Sequence, residues 1–200
     1  SGTGRLAIPI LKLRLDYTGL ELNGIFLKEA KNKIKRSADF ILGDMRNFHL
    51  ESSFNFIFIG FNSFLHNLSI KDAKSCLKCV LNHLSPKGKF LLSTFIPNTE
   101  FLYRDAKKLY PATDFFEFEN SKCRIYERND YNSDSQINHL KWYLEKDGKL
   151  DSVEYHYSMR MFYPHEMDIL FQESGFIIED KFGDYDLSPL DQESDMQIYL

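Results

Sequence analysis

The sequence predicts an α/β fold: a mostly parallel sheet with helices on both faces, an antiparallel C-terminal strand and a block of inserted antiparallel strands. Three observations predict it. Through about position 110, short apolar runs alternate with stretches of helical spacing, the pattern of parallel strands joined by crossover helices. The run Phe54, Asn55, Phe56, Ile57, Phe58, Ile59 is apolar enough for a strand covered on both faces. Beyond about position 120 come three long β-type runs, the last two joined across Asp147 and Gly148.

Taken in order, positions 6–13 form a short apolar helix and 17–22 a strand bounded by the Gly24 region. Positions 25–35 return to helical spacing, with Ile25, Ala30 and Ile34 on one face and lysines elsewhere. The next strand, 38–42, ends at Gly43 and Asp44, and 54–59 is the apolar one. Ser69 followed by Asp72 resembles a capping box and opens a helix through 84, with Ala73, Leu77, Val80, Leu81 and Leu84 along one side. Ser85, Pro86, Lys87 and Gly88 stop it. Positions 89–95 are a further strand, which Pro97 and Asn98 break before a helical stretch at 100–109. The antiparallel runs are 123–131, 136–145 and 152–163. Pro164 suits the first turn of a helix that runs to 174 with Gly175 as its stop, and 176–182 and 196–200 are closing strands.

With 200 residues, 43% of them hydrophobic, the chain can bury the core of one domain. A net charge of -4 and a pI near 5.9 give no bulk attraction for polyanions, so nucleic acid is disfavoured and a small molecule or a specific protein is expected as partner. No apolar run reaches the roughly 18–20 residues needed to span a bilayer, and the opening residues carry no signal-peptide pattern; no membrane partner and a cytoplasmic location are expected. The three cysteines, Cys76, Cys79 and Cys123, fit a reducing compartment. Cys76 and Cys79 lack a second cysteine pair, and His83 falls on the same helix, so they read as ordinary helix residues and no metal site is expected.

The opening Ser1-Gly2-Thr3-Gly4-Arg5 leads straight into a helix, where residues without a Cβ allow either a plain tight turn or a close backbone approach to a ligand. Glu21 follows Gly4 by 17 positions, near the spacing of about 20 at which nucleoside binders place a ribose-binding acid. The competing reading is a solvated carboxylate. Asp44 ends the following strand, where it either accepts from an exocyclic adenine amine, with Met45 and Arg46 framing the ring, or caps a turn. Together the three strand ends describe a crevice at the carboxyl edge of an open sheet.

Gly2-Thr3-Gly4-Arg5, Thr18 through Asn23, Gly43 through Phe48, Phe61 through His66 and Leu84 through Phe90 resemble, in order and spacing, the motifs of small bacterial class I S-adenosylmethionine-dependent methyltransferases. The similarity extends to Arg160 through Pro164 and Gly183 through Asp186, which look like acceptor-side lid elements. The resemblance implies a Rossmann-like methyltransferase sheet and S-adenosylmethionine as cofactor. Gly2 and Gly4 would approach its methionine part, Glu21 the ribose, Asp44 and Met45 the adenine, and Phe61 with Asn62 the methionine and sulfonium region, with Thr3, Arg5 and Leu22 completing the cofactor-binding set. It also implies one domain, with 1–110 the cofactor-binding part, 114–163 the inserted strands and 164–200 the closing helix and strands. The family's loop normally follows a central first strand bearing an acid and another glycine, whereas this sequence begins inside the loop. A seam between neighbouring strands is therefore expected, and with it a sequence that omits residues of the full protein. Asn55 stands where many relatives carry an acid.

Methyl transfer from a sulfonium is an in-line displacement from an already activated donor, so alignment and water exclusion come first and no catalytic triad is required. Tyr126, Arg128, Trp142, Arg160 and Tyr163 are candidates for a small-molecule acceptor or, equally, for filling the interface between insertion and core. His66 is either a base or a structural hydrogen-bonder. Two other readings stand beside this one. A nicotinamide-dependent oxidoreductase shares the glycine turn and acid but gives Asp44 no role. A non-catalytic cofactor-binding or dimerisation module with the same fold is the third, and the long strands raise a homodimer.

Overall fold

The computed structural model describes residues 1–34 and 38–200. The first half runs α1 (Ala7–Lys12), β1 (Tyr17–Glu21), α2 (Gly24–Lys33), β2 (Ala38–Leu42), β3 (Phe54–Ile59), a 3-10 turn (Ser63–His66), α3 (Ile70–His83), β4 (Leu84–Phe95) and α4 (Thr99–Leu102). Then come β5 (Tyr110–Pro111), β6 (Phe116–Phe118), β7 (Ser121–Asn132), β8 (Ile137–Lys146), β9 (Lys149–Arg160), α5 (Pro164–Glu173), β10 (Lys181–Phe182) and β11 (Met196–Tyr199).

The helix starts follow from their caps. Asn23 accepts from the amides of Ile25 and Phe26 to open α2. Ser69 accepts from Asp72 N at 3.0 Å and donates to its carboxylate at 2.8 Å, the two-way contact that the Ser-x-x-Asp spacing predicts. Pro164 fills the first turn of α5. Gly175, at φ +87°, ends that helix as Phe176 N donates to Phe171 O at 3.0 Å.

β1 and β2 pair in parallel as one two-stranded sheet. A second sheet has the order β10-β11-β4-β3, with β3 and β4 parallel and the other two pairings antiparallel. Among the described residues no ladder joins β1 to β3, so the expected seam is present and each strand keeps one open edge. The third sheet is β5-β7-β8-β9, antiparallel throughout, with β6 also on β7.

Among the described residues two cores hold this together. The larger joins Phe64, Leu77, Leu92, Phe162, Met167 and Tyr199 to Leu140 and Met159, which fixes the antiparallel sheet onto the α/β layer. The smaller, Ala7, Leu27, Ala30 and Phe40, belongs to the β1–β2 half alone.

Several expectations change. Ile25 is exposed and Leu27 takes its place in the core, while position 35 lies outside the described residues. Phe56 is 51% exposed, so β3 is not covered on both faces along its whole length. Leu81 is also exposed; Cys76 is the buried residue on that side of α3. β4 begins at Leu84, since Leu84 pairs with Phe54 across a bulge. The helix expected at 100–109 is the single turn α4, for Asp105 turns the chain by accepting from Lys107 N at 2.9 Å. The last long strand ends at Arg160, not 163. Over 176–182 only β10 is a strand, and Glu179 and Asp180 reach the chain end at Leu200 by backbone hydrogen bonds. β5 and β6 were not foreseen.

Candidate functional site

Glu21 anchors the first part of the site. Its Oε2 accepts from Gly2 N at 2.6 Å and its Oε1 from Asn23 N at 2.8 Å, while the Ser1 amino group lies 3.1 Å away. Burial pushes this carboxyl pKa up, backbone hydrogen bonds from Asn23 and Gly2 pull it down, and the net shift is downward. The two glycines differ. A Cβ on Gly4, at φ +78°, would lie 3.0 Å from Ile34 Cδ1 and 3.3 Å from Ala30 Cβ, so Gly4 serves packing of the loop on α2. A Cβ on Gly2, at φ +59°, would meet nothing within 4 Å, so Gly2 is the one facing open space. Thr3 sits half-buried between them, and Leu22 beyond Glu21 is exposed.

Gly43 N donates to Glu21 O at 2.9 Å, which sets Asp44 beside Glu21 at the same strand-end rim. Asp44 is already engaged: Arg46 binds it through Nε at 3.0 Å and Nη2 at 2.6 Å, and Arg46 N adds 2.9 Å. The Arg46 side-chain hydrogen bond holds the Asp44 pKa below its usual value. Arg46 also reaches Asp72 at 3.7 Å, and Met45 Sδ accepts from Asn67 Nδ2 at 3.6 Å, so this rim touches the region around α3.

β3 ends at an abrupt corner. Phe61 and Asn62 take φ of 52° and 61°, two successive left-handed residues without glycine, a conformation that costs about 1–2 kcal/mol per residue. Asn62 Oδ1 offsets part of it by accepting from Phe95 N at 2.8 Å. The corner holds Phe61 out, 53% exposed, with the Arg5 guanidinium 4.3 Å from its ring centre and Tyr185 at 6.5 Å. Tyr185 OH in turn lies 3.0 Å from Ser93 Oγ at the end of β4. Strain of this kind collects at functional sites. At the end of the following turn, His66 Nδ1 lies 3.1 Å from Ser158 O.

The acceptor-side candidates divide into two groups. Arg160 is buried and its Nη2 donates at 2.5 Å to both Gln136 and Glu166. Close by, Tyr163 and Tyr103 are exposed; Tyr103 stands perpendicular to Tyr131 at 5.5 Å, and burial, then Tyr163 and Tyr103, raise the Tyr131 pKa. Tyr126 and Arg128 alternate along β7 with Glu127 and Asn129, so they point to the opposite face of the antiparallel sheet. Glu127 binds Arg104 at 2.7 Å and Trp142 Nε1 at 3.0 Å, and Asn129 holds the carbonyls of Phe101 and Leu102. Trp142 is thus tied into a structural ion-pair cluster under that sheet. Tyr103, Tyr131 and Ser93 escaped sequence reasoning because they sit inside ordinary strand or helix patterns. Tyr185 lay within a quoted motif, Gly183 through Asp186, without a role of its own.

The sequence over residues 1–88 matches the family model described as a methyltransferase domain. The whole chain superposes on solved methyltransferases. The fold is that of the class I methyltransferases. CcbJ from Streptomyces caelestis is 20% identical with a TM-score of 0.82, over 99% of this chain and 78% of that one. An S-adenosylmethionine-dependent methyltransferase from Clostridium acetobutylicum is 16% identical at 0.80, over 99% and 79%. CalS10 from Micromonospora echinaspora, an amino pentose methyltransferase solved with S-adenosylmethionine bound, is 18% identical at 0.73, over 99% and 79%. No curated protein sequence matches. The matched stretch contains Gly2, Glu21 and Asp44, which hydrogen bonds bring to one rim, and Phe61, which packs on Arg5 of the same loop. Among the described residues no helix is long and apolar enough to cross a membrane.

Proposed function

We propose that the protein is an enzyme that transfers a methyl group from S-adenosylmethionine to a small-molecule acceptor. The observation that carries it is the Glu21 carboxylate, fixed by Gly2 N and Asn23 N beside Asp44 within the family-matched stretch. The residues fit the cofactor. A carboxylate has about four lone-pair sites, so Glu21 keeps acceptors for ribose hydroxyls after its two backbone bonds. The open space over Gly2 suits the methionine part, with Thr3, Gly4 and Arg5 shaping the loop. Leu22 flanks the ribose, and Asp44 with Met45 borders the adenine. Phe61 and Asn62 border the reacting end. When bound, the cofactor supplies a methyl carbon on a positively charged sulfur; the chain's own part is to orient the acceptor and exclude water.

On the acceptor side Tyr163, with Tyr103 and Tyr131 before the Arg160–Glu166 pair, offers aromatic walls and hydroxyls. An amine on a sugar-like molecule suits that lining, and CalS10 is an amino pentose methyltransferase. Tyr126 and Arg128, on the other sheet face, contribute to the acceptor site only from its margin. The oxidoreductase reading has nothing here to favour it. Residues 1–110 would carry the cofactor, 114–163 would form the inserted strands, and 164–200 would close the domain. A cytoplasmic setting suits three free cysteines. A second copy would add along the unpaired edge of β9, beside exposed Val153 and Tyr155.

Calorimetry with S-adenosylhomocysteine and with NADH tests the core of this. Micromolar binding of the first and none of the second is expected; no binding at millimolar S-adenosylhomocysteine refutes it. Sedimentation as a monomer at high concentration refutes the β9 pairing.

A further inference from the structure

We propose that His66 is the general base of the transfer, its Nε2 taking the proton that an amine acceptor sheds. This rests on the methyltransferase reading above. The carbonyl of Ser158 can only accept, so Nδ1, 3.1 Å from it, carries the hydrogen and the lone pair of the neutral ring is left on Nε2. The residue is exposed, and among the described residues only Nδ1 is engaged, so Nε2 is open to a ligand. Tyr157 meets the ring edge-on, 62° between planes and 6.1 Å between centres. The ring is therefore steered by two neighbouring residues of β9, while its backbone hangs from the 3-10 turn that follows the Phe61–Asn62 corner. It stands where the inserted sheet meets the rim of the α/β layer.

The groups around it leave this role to the imidazole. Tyr157 is the titratable side chain packed against it from β9, and burial, then the Glu127 charge, push that phenol well above its usual range, so it stays protonated. Behind Tyr157 the Glu127 charge is matched by Arg104 at 2.7 Å. His139 shares Ser158 through its hydroxyl at 2.8 Å, not through the carbonyl. In the step, the acceptor nitrogen's lone pair bonds to the methyl carbon and the carbon–sulfur electron pair stays on sulfur. The proton made surplus on nitrogen passes to Nε2, and the imidazolium yields it to water.

His66→Asn is the discriminating variant, because its amide NH2 can still donate to Ser158 O where Nδ1 did, yet it has no basic nitrogen. With glucosamine and galactosamine as probe acceptors, we expect kcat/KM to fall by about 10²–10⁴-fold. S-adenosylhomocysteine affinity should stay within about threefold of the parent, since no new charge or cavity is made at the rim. Nitrogen-15 NMR of the parent should show the Nδ1–H tautomer at His66. An Nε2–H tautomer, no methylated amine from cofactor-loaded protein, or an unchanged rate in His66→Asn overturns the proposal. Failure to bind S-adenosylhomocysteine at all would instead sink the function on which it rests.

Discussion

Replacing Glu21 by Gln tests the anchor of the rim. Each carboxylate oxygen now accepts one backbone N–H, from Gly2 at 2.6 Å and from Asn23 at 2.8 Å. An amide offers one oxygen and one NH2, so one of those two bonds becomes a donor facing a donor. Losing a single charge-assisted bond costs about 1.5–3 kcal/mol, which is about 10–150-fold in an equilibrium. At roughly 2–4 °C per kcal/mol for a chain of this size, the melting temperature should drop by about 3–12 °C. Titration calorimetry with S-adenosylhomocysteine should show affinity falling by at least tenfold, since the same oxygens are asked to receive ribose hydroxyls. An affinity within threefold of the parent, with the thermal shift present, would show that Glu21 staples the loop and does nothing more.

Further outcomes follow from the same geometry. The net depression of the Glu21 pKa means a stabilising contribution that is present above the ordinary carboxylate pKa and lost as pH falls through the lower folded value; melting curves in acid should converge for parent and Glu21→Gln. Gly4→Ala must hold φ +78° and push on Ile34, so we expect a loss of about 1–2 kcal/mol in urea unfolding, against a few tenths if the loop simply shifts. Asn62→Gly keeps the left-handed turn and forfeits the Phe95 bond, so it should cost about 1 kcal/mol, less than Asn62→Ala; the reverse order would refute the strain argument. Glu166→Ala leaves buried Arg160 with Gln136 alone, and a loss of about 3–5 kcal/mol is expected by chemical denaturation.

Local chemistry explains which elements were readable beforehand. Ser69 with Asp72, Pro164, Gly175 and the Asp147–Gly148 turn each fix a boundary within a few residues of themselves, and each boundary fell where expected. Errors arose where a partner distant in sequence decided. Leu84 became a strand residue because Phe54 lies beside it, and Leu27, not Ile25, is the α2 residue that packs with Ala7, Ala30 and Phe40. The same holds for the site. Gly2, Glu21 and Asp44 mark themselves by glycine and charge at strand ends, whereas Tyr103, Tyr131 and Ser93 acquire meaning only from neighbours 28 to 92 positions away.

Gly2, Glu21 and Asp44 ride on one sheet and Phe61 and Ser93 on another, and side chains link the two: Arg5 on Phe61, Arg46 on Asp72, Asn67 on Met45. A guest that touches both banks would have to fit around those links, so a change in any one of them should be felt as a change in how the guest is held.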